Sequence, residues 1–211
     1  MRVNQLTGPS FQAVSLEDVK AYLRIDGSTE DALIESLITA SAELAESHIE
    51  SSILRQKWEI WLDGIPAPMR DKWWNGTRQA HINTLWGEPR FIELPRGPVF
   101  EVDDFFFFDT SDTQQSYDLG KVFLDKSVNV ARLTLKFNET WPINLRHTSS
   151  INIQYKTGAA TTTAEVPASF QEAIKLIVGN LYENRGDQGE SFEIPSTAKM
   201  LLQKFKTERL K

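Results

Sequence analysis

The apolar residues of this 211-residue chain change their spacing twice. Toward both ends they recur every three or four residues, as on a helix with one buried face. Between residues 57 and 155 they fall into short runs and alternating pairs, as strands do. This order predicts an α+β fold. Two N-terminal and two C-terminal helices form a bundle, into which a small antiparallel β-sandwich or barrel-like block is inserted. The expected divisions are 1–54 for the N-terminal helices, 55–160 for the β domain with a long Trp-rich arm over 63–89, and 161–211 for the C-terminal helices and a basic tail.

Ser15 opens the first helix, with Asp18 three residues on in a near capping box, and Val19, Tyr22 and Leu23 spaced for one buried face. Asp26-Gly27 ends it. A second helix of about 25 residues starts near Ser28 or Thr29, with Glu30 and Asp31 in its first turn. Ile34, Leu37, Ile38, Ala45 and Ile49 form its stripe, widened by Leu33 and Leu44. Glu35, Glu43, Glu46 and Glu50 take the other positions. The helical period returns at Val166-Pro167, with proline at a helix start and Phe170, Ala173, Ile174, Ile177, Val178 and Leu181 on one face. Gly186 stops that helix. Ser196 caps a last one, whose apolar side is Met200, Leu201 and Phe205.

Strands are predicted at 57–62, 91–94, 99–109, 121–124, 131–137 and 150–155, with Pro95-Arg96-Gly97-Pro98 as a turn. In Phe105-Phe106-Phe107-Phe108, alternation sends Phe105 and Phe107 to one face and Phe106 and Phe108 to the other. Such a strand is buried on both faces or lies at a subunit contact; a ligand-stacking platform is the alternative. Trp58, Trp61 and Trp141 lie in or beside strands and read as packing residues. Trp73, Trp74 and Trp86 sit in the irregular arm and are candidates for an exposed protein interface, or for stacking on a sugar.

Composition narrows the function classes. There is no cysteine, which excludes disulfide frameworks, thiolate zinc sites and cysteine nucleophiles and suits synthesis in a cytosol. No apolar run of about 18 residues predicts a membrane span, and the N-terminus lacks the apolar stretch of a signal peptide. Of three histidines, His48 lies on the long helix without a His-Glu-x-x-His pattern, and His81 and His147 lie in polar stretches. Asp103 and Asp104 point to opposite faces of a strand, a poor geometry for a carboxylate pair. No nucleophile elbow, P-loop or dinucleotide fingerprint is present. No enzyme, cofactor or metal is therefore predicted.

The net charge of −6 disfavours general binding to DNA or an anionic membrane. It is unevenly placed. Residues 1–54 hold three basic and nine acidic side chains, whereas residues 196–211 hold five basic ones against Glu208 alone. Either the tail has a partner of its own, or Lys and Arg simply suit the last turns of a C-terminal helix.

Five segments, taken in order, resemble a known family. They are VSLEDVKAYLRID from Val14, DALIESLITASAELAESHIESSILRQKWEIWLDGIP from Asp31, IELPRGPVFEVDDF from Ile92, INIQYKTG from Ile151 and VPASFQEAIKLIVGNLYENRGD from Val166. Together they resemble the tailed-phage head–tail connector (adaptor) family, whose longer form is also labelled a DNA-packaging protein. The resemblance covers residues 15–62, 90–110 and 150–205, and departs over 66–89, which is longer and richer in tryptophan.

The resemblance implies a structural protein of the virion neck, made in the host cytoplasm. It implies a ring of about a dozen copies beneath the portal protein, extending the DNA channel and docking a stopper or tail-completion protein. DNA would pass without sequence-specific binding, which suits an acidic chain. In relatives the C-terminal segment reaches the portal. The portal-interface candidates here are thus Lys199, Met200, Leu201, Lys204, Phe205, Lys206, Arg209 and Lys211. The competing readings are a carbohydrate- or receptor-binding β module of a virion and a hydrolase built on scattered carboxylates.

Overall fold

The computed structural model describes residues 1–65, 91–127, 130–184 and 193–206. Among them the chain forms four α-helices and two sheets, an α+β fold. It divides into two compact units. One holds Thr7–Gln56, Arg96–Pro98 and Thr157–Lys211; the other holds Met1–Leu6, Lys57–Pro95 and Val99–Lys156.

In the first unit, α1 (Leu16–Leu23) begins as expected: Ser15 Oγ accepts from the Asp18 N–H at 3.1 Å. The helix ends before Asp26-Gly27, because Arg24 takes a left-handed conformation at φ 57° and the Ile25 N–H turns back to the Lys20 carbonyl. Helix α2 (Asp31–Ile49) has 19 residues rather than about 25. It starts at Asp31, which Lys20 of α1 holds at 2.7 Å, and stops where Glu50 turns left-handed at φ 55°. Helix α3 (Ala168–Glu183) follows Pro167, and α4 (Ser196–Leu202) follows Pro195. Ser196 is thus the first residue of its helix and not its cap. The expected stop at Gly186 lies outside the described residues.

Helix α3 packs against α1, α2 and α4. The predicted stripes supply the core. Ile34, Ile38, Ala45 and Ile49 of α2 meet Phe170, Ala173, Ile174, Ile177 and Val178 of α3, with Val19, Ala198 and Leu202 from the other helices. Each large side chain closed off in this way contributes about 1.5–3 kcal/mol. Two stripe members differ from expectation. Tyr22 is 44% exposed and lies over Gly179, where an added Cβ would stand 3.3 Å from its ring. Leu33, at the edge of the stripe, is 38% exposed.

Glu46, expected on the outer face, is buried. Its Oε1 accepts from the Ile53 and Leu54 N–H groups at 2.7 and 2.9 Å, and its Oε2 accepts from Gln56 Nε2 at 2.6 Å. Its backbone carbonyl accepts from Arg96 at 3.1 Å. Burial pushes the carboxyl above its ordinary pKa, opposed by these hydrogen bonds and by the Arg96 charge. Around it, Ser51 Oγ and the Ser52 N–H both donate to the Gly97 carbonyl, and the Gly158 N–H donates to Pro98. Residues 53–55 and 160 run side by side, with Arg55 Nε on the Gly158 carbonyl.

In the second unit, β1 (Arg2–Thr7), β2 (Gln56–Leu62), β8 (Ile151–Thr157), β4 (Val99–Phe108) and β5 (Gln114–Ser116) form one sheet in that order. The other sheet runs β3 (Phe91–Leu94), β7 (Ala131–Leu135), β6 (Val122–Asp125), with both neighbouring pairs antiparallel. Its register places Ile92, Leu133 and Leu124 in one row and Phe91, Thr134 and Phe123 in the next. Ile60, Ile92, Leu94, Phe105, Leu133, Ile151, Ile153 and Tyr155 are closed off in the core of this unit. Strands β1 and β5 were not expected. β5 is a wholly exposed Gln-Gln-Ser held by antiparallel pairing to Phe106–Phe108. β1 falls within the segment assigned to helices.

Two stability outcomes follow from the Glu46 cluster. Glu46→Ala strands two backbone N–H groups and an amide, and should cost about 3 kcal/mol or more in chemical denaturation. Glu46→Gln should cost about 1 kcal/mol, because an amide oxygen still accepts. Folding raises the Glu46 pKa, so its contribution is fullest below the ordinary carboxylate value and is lost as pH rises through the raised one. The stability difference between wild type and Glu46→Gln should therefore grow as pH falls through that window, and a pH-independent difference would contradict this. Gly158 sits at φ +85°, and an added Cβ would stand 2.0 Å from the Leu54 carbonyl oxygen. Gly158→Ala should lower stability by about 3 kcal/mol or more, read as a shifted denaturation midpoint.

Candidate protein-interface surfaces

The basic C-terminal end is fixed by a short helix with a narrow buried face. Ala198 and Leu202 are fully buried, and Leu201 and Phe205 pack partly against the same core. The Phe205 ring meets Phe170 edge-on, with centroids 5.9 Å apart. Met200 lies off that face and is 70% exposed, so the apolar side of α4 is Ala198, Leu201, Leu202 and Phe205 rather than the set containing Met200. Lys199 pairs with Glu193 at 3.0 Å. Lys204 and Lys206 are exposed and have no ion-pair partner among the described residues; the Lys204 ammonium lies over the Phe205 ring, 4.7 Å from its centroid. Arg209, Lys211, Trp73, Trp74, Trp86 and His81 lie outside the described residues.

The four phenylalanines of β4 alternate as expected. Phe105 is closed off beside Tyr117 and Trp141, at centroid distances of 4.9 and 6.1 Å, and Phe107 meets the edge of Tyr117. On the other face, Phe108 stacks on Trp61 at 6.0 Å and carries the Arg146 guanidinium 4.0 Å above its ring. Both faces of this run are occupied by the protein's own aromatic and cationic groups. Phe105 and Phe108 are thus packing residues and not a ligand platform. Trp141 is buried and Trp58 packs on the same core, in line with the packing role expected of them.

The acidic groups of β4 and β2 are engaged as well. Burial acts to raise the Asp103 pKa, but hydrogen bonds and charge from Lys156 and Lys57, at 2.9 and 3.1 Å, hold it below the usual carboxylate range. Burial likewise acts to raise that of Glu59, and donors on Asn4, Trp61 and Asn152 bring it below the ordinary value. Asp103 and Asp104 share Lys57 instead of facing each other as an acid–base pair. Among the described residues no group of three or more His, Cys, Asp and Glu side chains could hold a metal ion, and no helix is long and apolar enough to cross a membrane. Sequence reasoning did not single out the side of α2 that carries the exposed Glu35 and Glu43. Its signal was the absence of Lys and Arg between Asp31 and Ile49.

Residues 13–72 match the model of a family described as Phage gp6-like head-tail connector protein. The resemblance to the connector family is borne out over that stretch, which holds α1, α2 and β2. Among solved structures, the chain is similar to one from the neck of an empty GTA particle computed with C6 symmetry, at 18% identity and a TM-score of 0.73. It is also similar to chains from the neck of the native GTA particle computed with C12 symmetry (17%, 0.71) and from the virion of the native gene transfer agent (GTA) particle (16%, 0.70). Each likeness covers 100% of this chain and 97% of the other, so the whole fold is shared. Comparison with curated proteins gives no match.

The two exposures in α4 and its following turn separate experimentally. Phe205→Ala should destabilise the chain by about 2–3 kcal/mol through its lost contact with Phe170, whereas Met200→Ala should stay within about 0.5 kcal/mol of wild type. Equal effects in a thermal melt would contradict this placement.

Proposed function

We propose that this chain is a structural component of a phage-type particle neck, a head–tail adaptor forming a ring beneath the portal. The observation that carries the reading is the end-to-end likeness to chains of particle necks, joined to the connector-family match over 13–72. The necks computed with C6 and C12 symmetry favour a ring of copies. In this reading the architecture is a helical bundle drawn from both ends of the chain, carrying an inserted β block. The protein resides in the virion at the head–tail junction and extends the DNA channel. A net charge of −6 lets DNA slide past without tight phosphate contacts.

The basic end, with Lys199, Met200, Leu201, Lys204, Phe205, Lys206, Arg209 and Lys211, is the part assigned to the portal, and the opposite side of the ring to a stopper or tail-completion protein. Cations ringing a small apolar patch suit docking on an acidic surface, where they steer association. Trp73, Trp74 and Trp86 remain candidates for a further protein contact.

Affinity capture from the native source through an N-terminal tag, followed by mass spectrometry, should recover portal and neck proteins at comparable abundance. Recovery of no virion protein, while capsid protein is detected in the lysate, overturns the neck reading. A chain ending at Lys206 keeps the buried Ala198 and Leu202 but lacks Arg209 and Lys211. It should fold normally and retain severalfold less portal at moderate salt. Unchanged retention overturns the portal assignment of that end.

A further inference from the structure

We propose that a cavity at the start of β1 and the end of β2 binds an acidic residue on an extended segment of another protein, with the carboxylate on Arg2 and Arg146 and the backbone N–H on Asp63. The cavity is lined by Met1, Arg2, Trp61, Asp63, Arg146 and Ser149, all of them in the β unit. The neck reading makes no use of it, and the site stands without that reading. Its volume is about 360 Å³, near the small end of ligand pockets, which suits one side chain with its adjoining backbone.

The lining is built in advance. Arg146 lies 4.0 Å above the Phe108 ring, which stacks on Trp61. Its Nε donates to the Thr148 carbonyl at 2.8 Å and its Nη2 to the Ser149 carbonyl at 2.6 Å. The Ser149 N–H in turn donates to Asp63 Oδ1 at 2.8 Å. Trp61 gives its indole N–H to Glu59, which leaves the ring itself as an apolar wall. A cradle fixed in this way has little freedom left to lose on binding.

The groups left over define the ligand. Arg2 Nε donates to Asn4 Oδ1 at 2.9 Å, and its two terminal amino groups have no partner among the described residues. Asp112 lies 3.5 Å from Arg146 Nη1 but is 77% exposed, so water screens that pair. Two guanidinium groups thus share the cavity with one carboxylate. A guanidinium with open N–H groups takes a carboxylate or a phosphate by paired hydrogen bonds. Asp63 decides between them. Its Oδ2 has no partner among the described residues and can only accept. A phosphodiester has no donor to offer it and is repelled by its charge. An acidic residue within a peptide brings both parts, a carboxylate for the arginines and a backbone N–H for Asp63.

The test uses the full chain with any tag at its C-terminus, so that Met1 and Arg2 are unaltered. Isotope-labelled protein is titrated with an acetylated hexapeptide of alternating glutamate and serine. The readout is the Trp61 indole N–H peak in a nuclear magnetic resonance spectrum, identified by its loss in Trp61→Phe. The expected result is a saturating shift with a Kd of about 1 mM or below. Arg2→Ala, with folding checked by circular dichroism, should weaken binding about tenfold. The same peptide with glutamine in place of glutamate, and inorganic phosphate, should each bind about tenfold more weakly as well. The proposal is overturned by no shift at about 10 mM peptide. Equal binding of the glutamine peptide or of phosphate, or unchanged affinity in Arg2→Ala, also overturns it. So does a shift that appears on concentrating the protein alone, which makes the contact one between copies. Failed peptide binding with neck proteins still captured removes this site and leaves the neck reading intact. Peptide binding with no virion protein captured does the reverse.

Discussion

Glu46 is a carboxylate closed off from water near the end of a helix, and the chain around it is folded to satisfy it. A buried charge is tolerated only when donors replace the lost hydration. Here two backbone N–H groups and one side-chain amide do so, all from residues 53–56. For those residues to reach back, α2 has to end abruptly, and the left-handed conformation of Glu50 provides the reversal. The Arg96 guanidinium on the Glu46 carbonyl brings the Arg96–Pro98 turn to the same place. One side chain thus determines where α2 stops and which backbone passes beside it.

The consequences spread through neighbouring backbone. Ser51 and Ser52 converge on the Gly97 carbonyl, Pro98 accepts from Gly158, and Arg55 reaches the Gly158 carbonyl. Three passages of chain distant in sequence are laced together by backbone groups that would otherwise be buried without partners. The approach at Gly158 leaves no room for a Cβ, so the identity of that residue follows from the lacing. Each unit then builds its own apolar core, one from four helices and one from two sheets.

Much of this was legible in residue order. The stripes of α2 and α3 appear because an apolar side chain every three or four residues has only one economical burial. The alternation through β4 appears for the same reason at period two. Glu46 was not legible, because it sits one step outside the α2 stripe and its partners lie in an irregular segment. β5 is entirely polar and exists through pairing to the β4 phenylalanines, so its sequence carries no signal of its own. Tyr22 and Met200 were placed inward because spacing gives a face but not its width, and a short helix covers fewer positions than an apolar count suggests. The basic end was visible as charge; which of its residues face outward required the fold.

The aromatic content of the β unit bears on the choice between a sugar-binding module and a neck component. Phe105, Phe107, Tyr117 and Trp141 pack on one another, and Phe108 is covered by Trp61 and Arg146. A sugar platform needs a free ring face; Phe105 is closed off, and Phe108 lies between Trp61 and Arg146. What the described surface does offer is a separation of charge, acidic along α2 and basic after α4. Such a surface has a direction, and direction is what a subunit needs if each copy is to meet its neighbour through two different faces. In the proposed ring, the net charge of −6 would also disfavour a hold on DNA by the body of the protein.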